Sequence, residues 1–262
     1  VTRHFAETDL GVVHYASAGA GDPVLLLHQT PRSWDEYAQV IPLLARRFRV
    51  IAMDSLGFGD SARPPGEELT IELLGRGAIA LLDALGIERT AIVGHHTGGI
   101  VGLEIAASHD TRVTRAVLSS TPLIDAAWRE RIGSAARIDA VTRVIDGSHL
   151  LDLWHGRQPY YPSDRIDLLE RFVVDALRAG WDPADGHHAV QTYRMEEKVG
   201  RVEVPVLLVA STDDPFVFND IPPLAAALGA SIAEVPGGMI PLPDQFPEEF
   251  ARIVEDFLTS SS

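Results

Sequence analysis

Apolar positions along this chain fall into two patterns. The first is a set of short, nearly unbroken apolar runs: "PVLLLH" (Pro23 to His28), "RVIAMD" (Arg49 to Asp54), "TAIVGH" (Thr90 to His95), "RAVLSS" (Arg115 to Ser120) and "PVLLVAS" (Pro205 to Ser211). Runs of this kind predict strands buried on both faces, as in a parallel sheet. The second pattern repeats apolar residues at three-and-four spacing in "SWDEYAQVIPLLARRF", "TIELLGRGAIALLDALG" and "GGIVGLEIAASH", and predicts helices. The last such stretch, "PEEFARIVEDFLTS", opens with Pro247 and two acids, a favourable helix start. The N-terminal "FAETDLGVVHYASAGAGDP" predicts an antiparallel pair added at a sheet edge. Strand and helix in alternation predict an α/β fold with a doubly wound, mostly parallel sheet.

One region breaks the rhythm. From Thr121 to about Lys198 there is no buried-strand run, and Trp128, Trp154, Tyr160, Tyr161, Trp181 and Tyr193 lie among amphipathic stretches. An insertion of this length between core strands predicts a helical lid over the strand ends. The expected division is a core of residues 1–120 and 199–262 with a lid of residues 121–198. Within it, "WRERIGSAARIDAVTRV" predicts an amphipathic helix with solvated arginines, and "DPADGHHAVQTYRMEEK" predicts another.

Composition narrows the class. With 262 residues, 46% hydrophobic, the chain can bury one sizeable core, and no repeat or linker divides it. Its 22 basic and 37 acidic side chains give a formal net charge of -15. Such a surface repels phosphate backbones and anionic lipid, so neither nucleic acid nor membrane is an expected partner. Cysteine is absent, which removes disulfides, thiolate metal sites and cysteine nucleophiles. No apolar run suggests a leader or a span, so the expectation is a soluble, cytoplasmic protein acting on a small molecule; assembly into a homo-oligomer stays open.

The chemistry-bearing motifs come in a telling order. "HQTP" (His28 to Pro31), "DSLGFGDS" (Asp54 to Ser61), "GHHTGG" (Gly94 to Gly99) and "STDDP" (Ser211 to Pro215) each follow a predicted strand, and "PGGMIPLPDQFPEEF" (Pro236 to Phe250) leads into the last predicted helix. Together they resemble the α/β-hydrolase superfamily nearly end to end. The resemblance implies an oxyanion loop at His28 to Pro31, a nucleophile elbow at Gly94 to Gly98 and an acid at Asp214. It also implies an oxyanion hole from the backbone N–H groups of Thr30 and Thr97. "GFGDSA" lacks the third glycine of a dinucleotide-binding turn, and no cofactor is implied.

Against that resemblance two positions depart. His96 stands where the family carries its serine, and the last loop reads Gly238-Met239-Ile240-Pro241 where a histidine is usual. Neither the serine mechanism nor its aspartate-nucleophile variant fits residue 96. An imidazole there can attack an acyl carbon, activate water or abstract a proton next to a carbonyl. The sequence therefore points to an enzyme on a small carbonyl compound such as an ester or lactone, with His96 and Asp214 catalytic. It leaves as alternatives a lyase, decarboxylase, cyclase or isomerase, or an inactive ligand-binding homologue. His28, Gln29, His187, His188, Tyr193, Trp154 and Met239 are the further pocket candidates. Ser120 and Ser211 follow strands without an elbow and are weak replacement nucleophiles. Adjacent histidines point apart and three converging imidazoles are not in evidence, so no metal site is expected.

Overall fold

In the computed structural model, which describes residues 1–132 and 139–260, eight strands form one sheet in the order β1-β2-β4-β3-β5-β6-β7-β8. β1 (Thr2–Thr8), β2 (Gly11–Ala18) and β4 (Arg49–Met53) pair antiparallel in turn. From β4 onward, β3 (Pro23–Leu27), β5 (Thr90–His95), β6 (Val113–Ser119), β7 (Val206–Ser211) and β8 (Ser231–Val235) run parallel.

The unbroken apolar runs have a direct structural cause. Successive strand residues point to opposite faces, and both faces are covered. In β3, Leu25 and Leu27 enter a cluster containing Leu73, Ile100 and Leu118, whereas Val24 and Leu26 enter a second containing Tyr37, Ile41 and Phe250. Helices α2 (Ile71–Ala84) and α3 (Thr97–Ser108) cover the first face; α1 (Ile41–Leu44) and α10 (Pro247–Thr259) cover the second.

Between β6 and β7 the chain runs through α4 (Ala126–Ile132), α5 (Ser148–Arg157), α6 (Ile166–Arg178) and α7 (Asp185–Thr192), with no strand among the described residues. Leu153, Tyr161, Leu168, Phe172 and Ala176 form a small apolar cluster there, joined by Ile240 from the last loop. α8 (Ile221–Leu228) and the single turn α9 (Leu242–Gln245) complete the fold.

Three readings of the pattern need correction. "SWDEYAQVIPLLARRF" is not one helix: it forms a 3₁₀ turn at Trp34–Tyr37 and the single turn α1, which starts with Pro42 at its second position. β8 escaped notice because "SIAEV" is a half-exposed edge strand with no apolar run. The helix expected over "WRERIGSAARIDAVTRV" ends at Ile132; residues 133–138 of that stretch lie outside the described residues, and 139–144 are irregular.

Topology sets where a ligand can bind. From β3 the chain crosses to β4 on one side, and β5 then enters on the other. The carboxyl ends of β3 and β5 therefore diverge into a crevice, the usual ligand position in open α/β sheets. The loops that leave those ends begin at His28 and His96.

Candidate active site

His96 sits between the end of β5 and the start of α3 with φ 48° and ψ −117°, a left-handed conformation rare outside glycine. Holding it costs about 1–3 kcal/mol, supplied by the packing around it. Glycines make the turn feasible. A Cβ on Gly98 would lie 2.0 Å from the Leu27 carbonyl oxygen, and one on Gly94 would lie 2.1 Å from the Gly98 carbonyl oxygen. Gly98→Ala is expected to lower stability by about 1–3 kcal/mol or more, because the blocking atoms are backbone. A melting temperature equal to wild type would refute that account of the turn.

The imidazole of His96 reaches directly to the acid. Its Nε2 lies 2.7 Å from Oδ2 of Asp214, whose side chain is fully buried, while the His96 side chain is 17% exposed. The contact is short but off the line of a regular hydrogen bond, and neither atom has another partner among the described residues. Oδ1 of Asp214 accepts the Phe216 N–H at 3.1 Å. Nδ1 of His96 is thus the nitrogen left for the cavity. Among the described residues, no second imidazole stands between residue 96 and Asp214.

Two loops close the other side. Thr97 is the first residue of α3, so its N–H has no acceptor within the helix. The hydroxyls of Thr30 and Thr97 meet at 3.0 Å and bring the β3 and β5 loops together. Gln29 is gripped by buried Glu36: its N–H donates to Oε2 at 2.9 Å and its side-chain amide to Oε1 at 2.6 Å. Burial pushes the Glu36 carboxyl up to about 8, against the opposing pull of Arg32 and Gln29. A raised native pKa means that stability from this group is full below the ordinary carboxylate pKa and is lost as pH rises towards 8. Unfolding free energy should therefore fall between about pH 4.5 and 8 more steeply in wild type than in Glu36→Gln; parallel curves would contradict it.

The cavity above His96 has a volume of ≈ 100 Å³ and mostly apolar walls. Gln29, Thr30 and Thr97 form its floor with His96, while Ile100, Trp128, Val190, Phe216 and Ile240 supply apolar surface. Arg157 and His187 are its other polar lining besides Gln191. His187 on α7 places Nε2 2.9 Å from Oδ2 of Asp139, and the Arg157 guanidinium, 4% exposed, forks onto both oxygens of that carboxylate. Burial would raise Asp139, but Arg157 and His187 outweigh it and hold the carboxyl well below its usual range. Burial in turn lowers His187 below the ordinary histidine value despite Asp139.

Of the other pocket candidates, several point elsewhere. His28 is a structural imidazole: Nδ1 meets the Gln29 carbonyl at 2.7 Å and Nε2 accepts the Ser55 N–H at 2.9 Å. His188 is exposed and faces an outer groove with Glu68 and Trp181, because neighbouring helical residues diverge by about 100°. Tyr193 is buried with its hydroxyl donating to Glu104 at 2.7 Å. Trp154 packs in the small cluster of the inserted helices, and Met239 leaves the cavity wall to Ile240. His95 turns its ring towards the Ser119 hydroxyl, 2.9 Å, and the Ile240 carbonyl, 2.6 Å. Ser120 and Ser211 bond each other at 2.9 Å within the buried interior. Among the described residues, one close group of ligand-type side chains occurs, His14, Asp54 and Asp60. Its lone pairs are engaged by Arg3, Arg178 and the Asp60 and Trp34 N–H groups, so it is an ion-pair cluster at the sheet edge.

Arg157, Asp139, Trp128 and Glu36 were not singled out as site residues by the sequence. An arginine in a helix and a glutamate beside an aromatic are ordinary surface signals, and only tertiary burial distinguishes them.

The chain belongs to the α/β hydrolase fold family, whose family model matches residues 22–242. A bifunctional epoxide hydrolase 2 from Rattus norvegicus is 37% identical over 114 residues, 43% of this chain and 21% of that protein. A 2-hydroxymuconate semialdehyde hydrolase from Pseudomonas sp. (strain CF600) is 38% identical over 122 residues, 42% of this chain and 43% of that protein. The matched stretch thus spans less than half the length of either relative. Among solved structures, a hydrolase from Pseudomonas aeruginosa PA01 superposes with a TM-score of 0.80 at 27% identity, covering 99% of both chains. An enol-lactonase from Burkholderia xenovorans LB400 gives the same TM-score of 0.80 at 20% identity, covering 98% of this chain and 100% of that one, a likeness of fold.

Proposed function

We propose that this protein is a hydrolase of small, partly apolar esters or lactones in which His96 takes the place of the family's serine and Asp214 orients its ring. The observation that carries the reading is the 2.7 Å approach of His96 Nε2 to Asp214 Oδ2. The close approach of Nε2 to the carboxylate assigns the ring proton to Nε2, which leaves the lone pair of the imidazole on Nδ1. One ring beside Asp214 then takes the work otherwise divided between a hydroxyl and a separate imidazole, and the Met239 loop supplies no base. Backbone N–H groups of Thr97 and Thr30 then hold the negative oxygen that forms at the substrate carbonyl. Helices α4 to α7, between residues 121 and 198, act as the lid, and the apolar cavity walls favour a substrate with little charge.

The test is a panel of small activated esters and lactones, run with and without chelator. The reading expects turnover that a chelator leaves unchanged. Absence of turnover from folded protein, together with tight binding of enolate-like anions, would replace hydrolysis with proton-transfer chemistry.

A further inference from the structure

We propose that His187, backed by Asp139, is the general base for water, so that nucleophile and base are two separate imidazoles facing one cavity. This rests on the hydrolytic reading of His96 given above. Two imidazoles line the cavity, and each sets Nε2 against a carboxylate: His96 on Asp214 at 2.7 Å and His187 on Asp139 at 2.9 Å. Arg157 Nη2 also lies 3.2 Å from that nitrogen, a hydrogen bond that Nε2 accepts only in the tautomer without a proton there. Arg157 already donates to Asp139 through Nε at 2.8 Å and through Nη2, and the shorter 2.9 Å approach to Asp139 Oδ2 assigns the proton to Nε2. Asp139 therefore fixes the tautomer of His187 with its lone pair on Nδ1. That nitrogen makes no hydrogen bond among the described residues.

The position of His187 follows from its neighbour. A Cβ on Gly186 would lie 2.2 Å from the Thr30 hydroxyl, so glycine lets the start of α7 close on the oxyanion loop. His187 is then carried to the wall beside the atoms where the acyl group would sit. Burial keeps its imidazole neutral near pH 7, the form that accepts a proton. His96, one residue before the Thr97 N–H, is placed to bond the acyl carbon while the carbonyl oxygen faces that donor.

The steps balance as follows. Nδ1 of His96 bonds to the acyl carbon, and the ester C–O bond breaks with its electron pair on the leaving oxygen. The acylimidazolium is charge-balanced by Asp214. A water oxygen then bonds to the acyl carbon while His187 Nδ1 takes one of its protons. The C–N bond breaks, returning its pair to His96, and the proton on His187 passes to the alkoxide. The sum is ester plus water giving acid plus alcohol.

The experiment is rapid mixing of p-nitrophenyl acetate with wild type, His187→Gln and His96→Ala, with mass spectrometry of the quenched protein. In His187→Gln the expected result is a burst of one equivalent of nitrophenolate, then turnover slowed by about 10²–10⁴-fold. An acetyl group should accumulate on His96, and added hydroxylamine, a nucleophile that needs no base, should restore turnover. Wild-type steady-state rate in His187→Gln overturns the assignment, as does loss of the burst with the native circular-dichroism spectrum intact. If His187→Gln does not fold, Asp139→Asn, which keeps the imidazole, carries the same test with the same expected burst and slow second phase. Turnover retained in His96→Ala, or none from wild type, is a different result: it removes the hydrolytic reading of His96 itself.

Discussion

His96→Ala is expected to lose ester turnover, by at least about 10³-fold in kcat/KM, and to leave the fold in place. The size follows from the removal of nucleophile and proton acceptor in one side chain; what survives is binding and the oxyanion donors, worth about 10³–10⁴ over water. Stability should fall far less than activity. Residue 96 holds a left-handed φ of 48° with either side chain, and the imidazole makes no regular hydrogen bond among the described residues; what alanine loses is the 2.7 Å approach to buried Asp214. Removing the imidazole also gives up its edge-on contact with the His95 ring at 4.7 Å, worth about 0.5–1.5 kcal/mol. Thermal melts beside ester assays check both halves of the expectation, and a melting temperature that drops with activity would mean the residue was structural.

Arg32 is expected to behave in the opposite way, with a large effect on stability. Its guanidinium is 0% exposed, with Nε 2.9 Å from Asp175 and Nη1 2.9 Å from Asp244. Burial alone would lower its pKa, but Asp244 and Asp175 outweigh that and hold it well above the usual range. The three residues come from the oxyanion loop, α6 and α9, so this one cation ties the inserted helices and the last loop to the floor of the cavity. Among the described residues, Arg32→Ala leaves buried Asp175 with only the Ser33 hydroxyl, 2.9 Å, and buried Asp244 with Arg171, 2.8 Å, and should cost about 3–5 kcal/mol. For a chain of this size that is roughly a 10 °C fall in melting temperature. Arg32→Lys should recover only part of it, since a single ammonium cannot present the fork that spans both acids. A melt within about 2 °C of wild type for Arg32→Ala would show that the carboxylates find other partners.

How far the sequence reached depends on which physics each feature uses. The strands β3 to β7 declare themselves because burial on both faces leaves polar residues only near their ends. The elbow was readable too, since a turn that sets residue 98 against the Leu27 carbonyl requires glycine there. Edge strand β8 left no such mark, being wetted on one side. Among the site residues, the side-chain reach of His96 to Asp214 depends on the placement of loops roughly 390 Å of extended chain apart, at about 3.3 Å per residue, and no local spacing encodes it. The same holds for Asp139 and Arg157, which gain meaning only once α5 and α7 pack together. The adjacent pair His187-His188 illustrates the difference. The residues are identical by type and neighbours in sequence, yet one lines the cavity and the other faces an outer groove, because Gly186 fixes which side of α7 meets Thr30.

The pairing of His96 with Asp214 is tested most directly by a double-mutant comparison. kcat/KM for one activated ester is measured in wild type, His96→Ala, Asp214→Asn and the double variant, each confirmed as folded. If the aspartate acts through the imidazole, Asp214→Asn alone loses about 10²–10⁴-fold, and the double variant is no worse than His96→Ala. Losses that multiply, or an Asp214→Asn variant with wild-type turnover, would contradict the dyad.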